Sequence, residues 1–168
     1  MVIFETERLN VRKLVVHDLE AFHKMQSNPK VMQYVDGEVK SYHEHQKEIK
    51  QLITKYELKG NDFWIYAIER KEDTCFIGTV ALVKDGTDDE IGYRFLEKYW
   101  GKGYASEVCS GLIQYCRSLG MKKLVGYIID KNIGSTMVLK KNNFKIVKQS
   151  ISDEIGLPET KYELILKD

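Results

Sequence analysis

Tyr99-Trp100-Gly101-Lys102-Gly103-Tyr104-Ala105-Ser106-Glu107 is the stretch that organises this chain. It stands between a strand candidate, Glu90 to Leu96, and an amphipathic helix opening at Tyr104. The apolar positions of that helix are Ala105, Val108, Cys109, Leu112, Cys116 and Leu119. At a helix start the first N–H groups have no partner inside the helix, and the macrodipole adds about half a positive charge. Two glycines one residue apart let the backbone approach a phosphate with no Cβ in the way. Lys102 between them adds a mobile cation. This is the physics of an anion-binding turn, although the same pattern also suits a tight strand-to-helix connection without a ligand. A Walker A loop is excluded, because Gly101-Lys102-Gly103-Tyr104-Ala105-Ser106 does not spell GxxxxGK followed by Ser or Thr. A dinucleotide fingerprint is excluded too: Ser106 occupies its third glycine position, and antiparallel strands precede the turn.

Downstream, the helix from Tyr104 ends at Gly120, a natural C′ residue. Lys123 to Ile129 reads as a strand with Leu124, Gly126 and Ile128 on one face, and Asn132 to Lys141 as a short helix. Phe144 to Val147 and Lys161 to Leu166 read as the closing strands. Upstream, Phe63 to Ile68 and Phe76 to Val83 flank the polar turn Arg70-Lys71-Glu72-Asp73-Thr74, a hairpin pattern. Before them Ser41-Tyr42-His43-Glu44 forms a capping box, opening a helix whose stripe is Ile49, Leu52, Ile53 and Tyr56. An earlier helix runs from about Asp18 with Leu19, Phe22 and Met25. It stops by Asn28-Pro29, since the residue before a proline is pushed out of the helical region. The first strand is Leu9 to Leu14. The order β α α β β β α β α β β predicts one α+β domain over residues 1–168. Its sheet is mixed and mostly antiparallel, flanked by helices, with a central parallel, right-handed β-α-β unit around Gly101.

Composition narrows the function classes. The 168 residues suffice for one core, and 43% apolar with 30% charged residues is an ordinary globular profile. A net charge of +1 supplies no basic field, so nucleic acid is not expected as a partner. No apolar run approaches the ~20 residues of a membrane helix, and the opening residues do not read as a secretory signal. Cys75, Cys109 and Cys116 are an odd, sparse set, which suits a reducing cytoplasm better than a disulfide framework.

The residues of the turn, taken with four other segments, resemble the GNAT N-acetyltransferase superfamily in its RimJ/RimL-like branch. Glu90-Ile91-Gly92-Tyr93 is similar to the branch's EIGY strand, and Glu5-Thr6-Glu7-Arg8-Leu9 to its TERL opening. Asn132-Ile133-Gly134-Ser135 with Val138-Leu139 resembles its N-x-x-S helix start, and Ile77-Gly78 its third-strand IG. The resemblance runs along essentially the whole chain. There are departures. Lys98 stands where many members have Gln or Arg, and Leu139 where many place a tyrosine general acid. Asn143 replaces the glycine of the usual LGF ending, in the residue type that best tolerates positive φ after glycine.

The resemblance implies acetyl-CoA as co-substrate, a primary amine as acceptor, and no metal. It implies a pyrophosphate on the amides of Gly101, Lys102, Gly103, Tyr104, Ala105 and Ser106. It also implies a pantetheine arm paired like an extra strand with Tyr93, Arg94 and Phe95, in a slot opened where the parallel strands splay beyond Phe95. A backbone N–H there is the expected oxyanion donor. Glu90 is the candidate base, direct or through water; its structural alternative is a solvated edge carboxylate after Asp88 and Asp89. Ser135 is the candidate proton donor to the CoA thiolate, and its alternative is a helix cap. Asn132 is expected to cap the same helix and to bond the pantetheine. Tyr34, Tyr42 and Trp64 are candidates for the acceptor pocket, or else plain core. Lys140 or Lys141 is a candidate for the CoA 3′-phosphate, or a solvated face. His43 and His45 lack the i,i+4 spacing of a helical metal pair. Cys109 and Cys116 read as core. Two other classes stay open: a CoA-binding module without turnover, to which Leu139 lends weight, and a phosphate-binding regulator using the turn alone. Monomer and homodimer are both compatible with the sequence.

Overall fold

The computed structural model describes residues 1–36 and 38–167. Its elements are β1 (Val2–Glu5), β2 (Leu9–Lys13), α1 (Leu19–Gln26), α2 (Pro29–Met32), α3 (Tyr42–Lys55), β3 (Phe63–Arg70), β4 (Phe76–Asp85), β5 (Asp88–Phe95), α4 (Tyr104–Ser118), β6 (Lys123–Ile129), α5 (Ile133–Lys141), β7 (Lys145–Ile151) and β8 (Pro158–Ile165). One eight-stranded sheet runs in the order β1-β2-β3-β4-β5-β6-β8-β7. The β5–β6 pair is parallel and the other neighbours are antiparallel.

Register sorts the side chains of the central strands. Phe63, Val83 and Glu90 stand side by side, as do Ile65, Ala81 and Gly92, and Ala67, Thr79 and Arg94. By the alternation of a strand these share one face, and Gln26 of α1 bonds Arg94 there. Trp64, Leu82 and Ile91, with Tyr66, Val80 and Tyr93, occupy the other face, where Leu82 and Ile91 pack with Cys109, Leu112 and Cys116 of α4 and Leu139 of α5. Leu124 and Gly126 join this second face; a Cβ on Gly126 would come 3.0 Å from Leu139.

The capping box of α3 is closed in both directions. Ser41 Oγ accepts from Glu44 N at 3.2 Å, and Glu44 Oε2 accepts from Ser41 N at 2.6 Å. Asn143 adopts φ +67° and Gly120 φ +76°, the left-handed conformations expected after a helix.

Several elements differ from the sequence reading. β1 was not expected; four residues with a register shift between Val2 and Phe4 leave too short a pattern to read. Pro29 ends α1 and also starts α2, a one-turn helix whose Lys30 N–H is capped by Asn28 Oδ1 at 2.9 Å. The buried stripe of α4 stops at Cys116, because Leu119 is the helix's final cap and is 52% exposed. The closing strands lie at Lys145–Ile151 and Pro158–Ile165 instead of 144–147 and 161–166. All seven residues of β7 are exposed at the sheet's edge, so no alternation marks them. β8 opens with Pro158, a position where a strand tolerates proline.

The parallel pair matters most for the site. β5 and β6 share a single register pair, Glu90 with Val125. The strands therefore part directly after Glu90, earlier than the separation beyond Phe95 that was expected. The gap has Ile91 to Phe95 along one side.

Candidate active site

The turn after β5 has the conformation that its glycines require. Gly101 is at φ +71° and Gly103, the N-cap of α4, at φ +82°. A Cβ at Gly101 would meet nothing within 4 Å, so backbone conformation and not space calls for glycine there. At Gly103 a Cβ would also come 3.4 Å from the Arg8 guanidinium.

That guanidinium belongs to a bracket which sequence reading had left unassigned. Arg8 Nη1 donates to the Lys102 carbonyl at 3.0 Å, and its Nε donates to Glu107 Oε2 at 2.7 Å. The Arg8 N–H and the Thr6 hydroxyl both donate to Glu107 Oε1, at 2.8 and 2.6 Å. Burial works against the Glu107 charge, yet the bonds from Thr6 and Arg8 outweigh it and hold the carboxyl below the usual range. The Arg8 guanidinium also lies 4.4 Å over the Tyr104 ring. The β1–β2 turn thus clasps the first turn of α4. Lys102 contributes its carbonyl to the clasp, while its ammonium stands exposed 5.8 Å from the Tyr99 ring and does not border the cleft.

From this turn a cleft of about 1110 Å³ follows the gap between β5 and β6. That exceeds the roughly 300–1,000 Å³ of ordinary small-molecule sites and leaves room for a long ligand beside a second one. Gly101, Gly103, Tyr104, Ala105 and Ser106 border one end. Along the strand the expected trio divides. The Ile91 carbonyl points toward Gly126 of β6, so by alternation the main-chain groups of Tyr93 and Phe95 face the same opening. The Phe95 carbonyl is already held by the Trp100 indole N–H at 3.0 Å. Arg94 differs: its carbonyl points to Gly78 on β4, and its side chain rises onto the α1 face. It offers the open edge no main-chain partner.

Glu90 and Ser135 border the cleft from opposite faces of the sheet. Burial pushes the Glu90 carboxyl up to about 7, helped by Asp85, Glu159 and Glu154 and opposed by Lys161. It is therefore a half-buried carboxyl poised near neutrality and not a solvated edge residue. Asp85 in turn accepts from the Tyr127 hydroxyl at 2.8 Å. On the other face Asn132 Oδ1 caps α5 by accepting from Ser135 N at 3.2 Å. Capping thus falls to Asn132 and not to the Ser135 hydroxyl. The Ser135 hydroxyl lies beside the buried hydroxyl of Tyr93. Burial pushes Tyr93 up to about 12, with Ser135 pulling the other way. Leu139 is buried against Gly126 and offers no proton.

Of the acceptor candidates, Tyr34 borders the cleft. Trp64 does not. It lies on the opposite face, stacked on Tyr56 and Tyr66 at 6.3 and 6.0 Å, and Phe63 and Ile65 take the place expected for it. Tyr42 is 44% exposed and packs edge-on against His23 at 5.0 Å, away from the cleft. His45 is buried and shares a 2.8 Å Nδ1–Nδ1 hydrogen bond with His23, joining α1 to α3. Lys140 and Lys141 are exposed in the last turn of α5. Cys109 and Cys116 are fully buried, with thiols pushed up to about 12 by desolvation.

Comparison with known proteins gives the family and the fold. Residues 8–145 match the acetyltransferase (GNAT) domain family, and the chain belongs to that family. It is 32% identical over 148 residues to the uncharacterized N-acetyltransferase YoaA of Bacillus subtilis (strain 168), covering 85% of this chain and 82% of that one. Its fold is shared with a GNAT-family acetyltransferase from Bacillus anthracis (TM-score 0.84, 22% identity, 98% of both chains). It is likewise shared with RimL, a ribosomal L7/L12 alpha-N-protein acetyltransferase solved with coenzyme A (TM-score 0.83, 19% identity, 99% and 98% of the two chains). Among the described residues no helix is long and apolar enough to cross a membrane.

Proposed function

We propose that the chain acts as one domain, residues 1–168, that transfers acetyl directly from acetyl-CoA to a primary amine. The acceptor is a protein N-terminus or a small molecule, and the enzyme is RimJ/RimL-like. One observation carries the reading: an open strand edge at Tyr93 and Phe95 leads from an amide-rich turn to a carboxyl near neutrality on one face and a serine on the other. The diphosphate sits on the amides from Gly101 to Ser106, and the pantetheine amides pair with the edge. The neutral amine attacks the thioester carbon, and a β5 N–H stabilises the oxyanion. Glu90 takes the proton released from nitrogen. Ser135 hydrogen-bonds the departing thiolate, whose conjugate thiol has a pKa near 8.5 and needs little help. Neutralising an α-amine of pKa near 8 costs about 1 kcal/mol at pH 7, against about 4–5 kcal/mol for a lysine amine, so this base suits α-amines. Its three free cysteines fit a reducing cytoplasm.

The test follows thiol release from acetyl-CoA with an amine panel, alongside calorimetry with CoA. Release that depends on an amine is expected. CoA binding with no release above buffer would instead mark a binding module, and no heat with millimolar CoA would sink the whole reading.

A further inference from the structure

Arg94 is an uncommon investment for a cleft. Its guanidinium is half-buried, and desolvation pulls its pKa down against the charges of Glu48, Asp36 and Glu154; among the described residues its side chain makes one hydrogen bond, to Gln26 Oε1. Among the described residues no carboxylate lies within ion-pair distance of it. Glu48 is committed to the Gln26 amide at 3.3 Å and lies 3.8 Å from Lys40. A half-buried cation without an ion pair is costly, and such a charge is retained most readily where a ligand completes the pair. The guanidinium keeps several N–H donors in the planar fork that matches a carboxylate.

Its position narrows the ligand. Arg94 and Glu90 stand on the same face of β5, about 13 Å apart at roughly 3.3 Å per residue. Around Glu90 the wall is acidic, with Asp85, Glu154 and Glu159. Toward Arg94 the wall carries the Gln26 amide, with Asp36 and Glu48 further off and Lys30 held by Glu97 at 2.9 Å. The phosphate turn opens α4, which covers the opposite face, so coenzyme phosphates do not account for Arg94. One face thus has an acidic, amine-attracting end and, two strand repeats away, a guanidinium with open donors that no carboxylate of the wall reaches within ion-pair distance.

Resting on the acetyltransferase reading above, we propose that Arg94 receives a carboxylate of the acceptor, so that the enzyme acetylates amines that also bear a carboxylate. These are free amino acids or short peptides with a terminal or side-chain carboxylate. A purely cationic polyamine would set like charge against Arg94.

The experiment compares matched acceptors: amino acids with their amides, acidic-residue peptides with their Asn or Gln counterparts, and spermidine. Wild-type kcat/KM is expected to favour the carboxylate member at least tenfold, and the amino-acid and peptide arms distinguish the two sources. Arg94→Gln should erase the preference by raising KM, with kcat and the Kd for CoA within about twofold of wild type. Arg94→Lys, which keeps the charge and loses the fork, should fall between. Equal use of acid and amide, a preference for spermidine, or a tenfold loss of CoA affinity in Arg94→Gln would each overturn the assignment while leaving the transfer reaction standing. If CoA binds but no acceptor releases thiol, the enzymatic reading fails by itself. Thermal shifts of the CoA-loaded protein then decide Arg94. Stabilisation by the carboxylate member alone, lost in Arg94→Gln, upholds it; equal shifts from acid and amide overturn it.

Discussion

The two ends of β5 are built by different means. The turn beyond Phe95 presents main-chain N–H groups, placed by two glycines in left-handed conformation and braced from outside by Arg8 and Glu107. The stretch around Glu90 and Arg94 presents side-chain charges whose properties depend on burial and on neighbours from other segments. A main-chain site tolerates change in nearly every side chain, provided the dihedrals survive. A charged face can be retuned by one substitution. On the acetyltransferase reading proposed above, a main-chain coenzyme site and a charged acceptor site would share one strand.

The sharpest way to break this contrast lies at its charged end. Glu90→Gln should lower kcat/KM by roughly 10²–10⁴-fold, the usual contribution of a positioned base. In the wild type the acidic limb should rise through pH about 7, and the variant should lose that limb. Unchanged profiles would remove Glu90 from the chemistry. At the main-chain end, Gly103→Val places a β-branched residue at φ +82° beside Arg8. Strain of this kind amounts to about 1–3 kcal/mol, so CoA affinity should drop by roughly 10- to 100-fold with the circular dichroism spectrum retained. Normal CoA affinity in that variant would show the turn is not the phosphate site.

Smaller effects refine the picture. Ser135→Ala should lower kcat about tenfold and leave CoA affinity nearly intact, because Asn132 and not Ser135 caps α5. Equal losses in both would mean a structural role. Arg8→Ala should weaken CoA by a few-fold only, since this bracket is partly exposed and works through the turn. A variant with intact CoA affinity would leave the bracket to stability alone.

Glu90 also predicts a stability signature. Its folded pKa lies above the ordinary 4.5, so between about pH 4.5 and 7 the folded state binds more protons than the unfolded one. Its contribution to stability is whole below pH 4.5 and is lost as pH rises through about 7. Melting curves should show Glu90→Gln gaining on the wild type over that interval and no further gain above it.

What could be read from sequence follows the same division. Gly101, Gly103, Gly120 and Asn143 mark conformations set within a few residues, and each was legible. So was the Ser41 capping box. Trp64 was misplaced because its face depends on the register of three strands, which no local pattern states. Arg94 was read as a main-chain partner of the coenzyme arm for the same reason: strand parity decides which way its carbonyl turns. The Arg8–Glu107 bracket joins residues 99 positions apart and needs the β1–β2 turn to be brought to α4. β7 escaped because an exposed edge strand carries no alternation.

The single rung between Glu90 and Val125 has a mechanical meaning. Five strands stand on one side of that seam and three on the other, and past the rung no ladder ties them. A coenzyme arm lying in the gap would act as mortar between two slabs. Amide exchange at Tyr93 and Phe95 should then slow on CoA binding far more than exchange in β3 or β4, with the substrate supplying part of the enzyme's own cohesion.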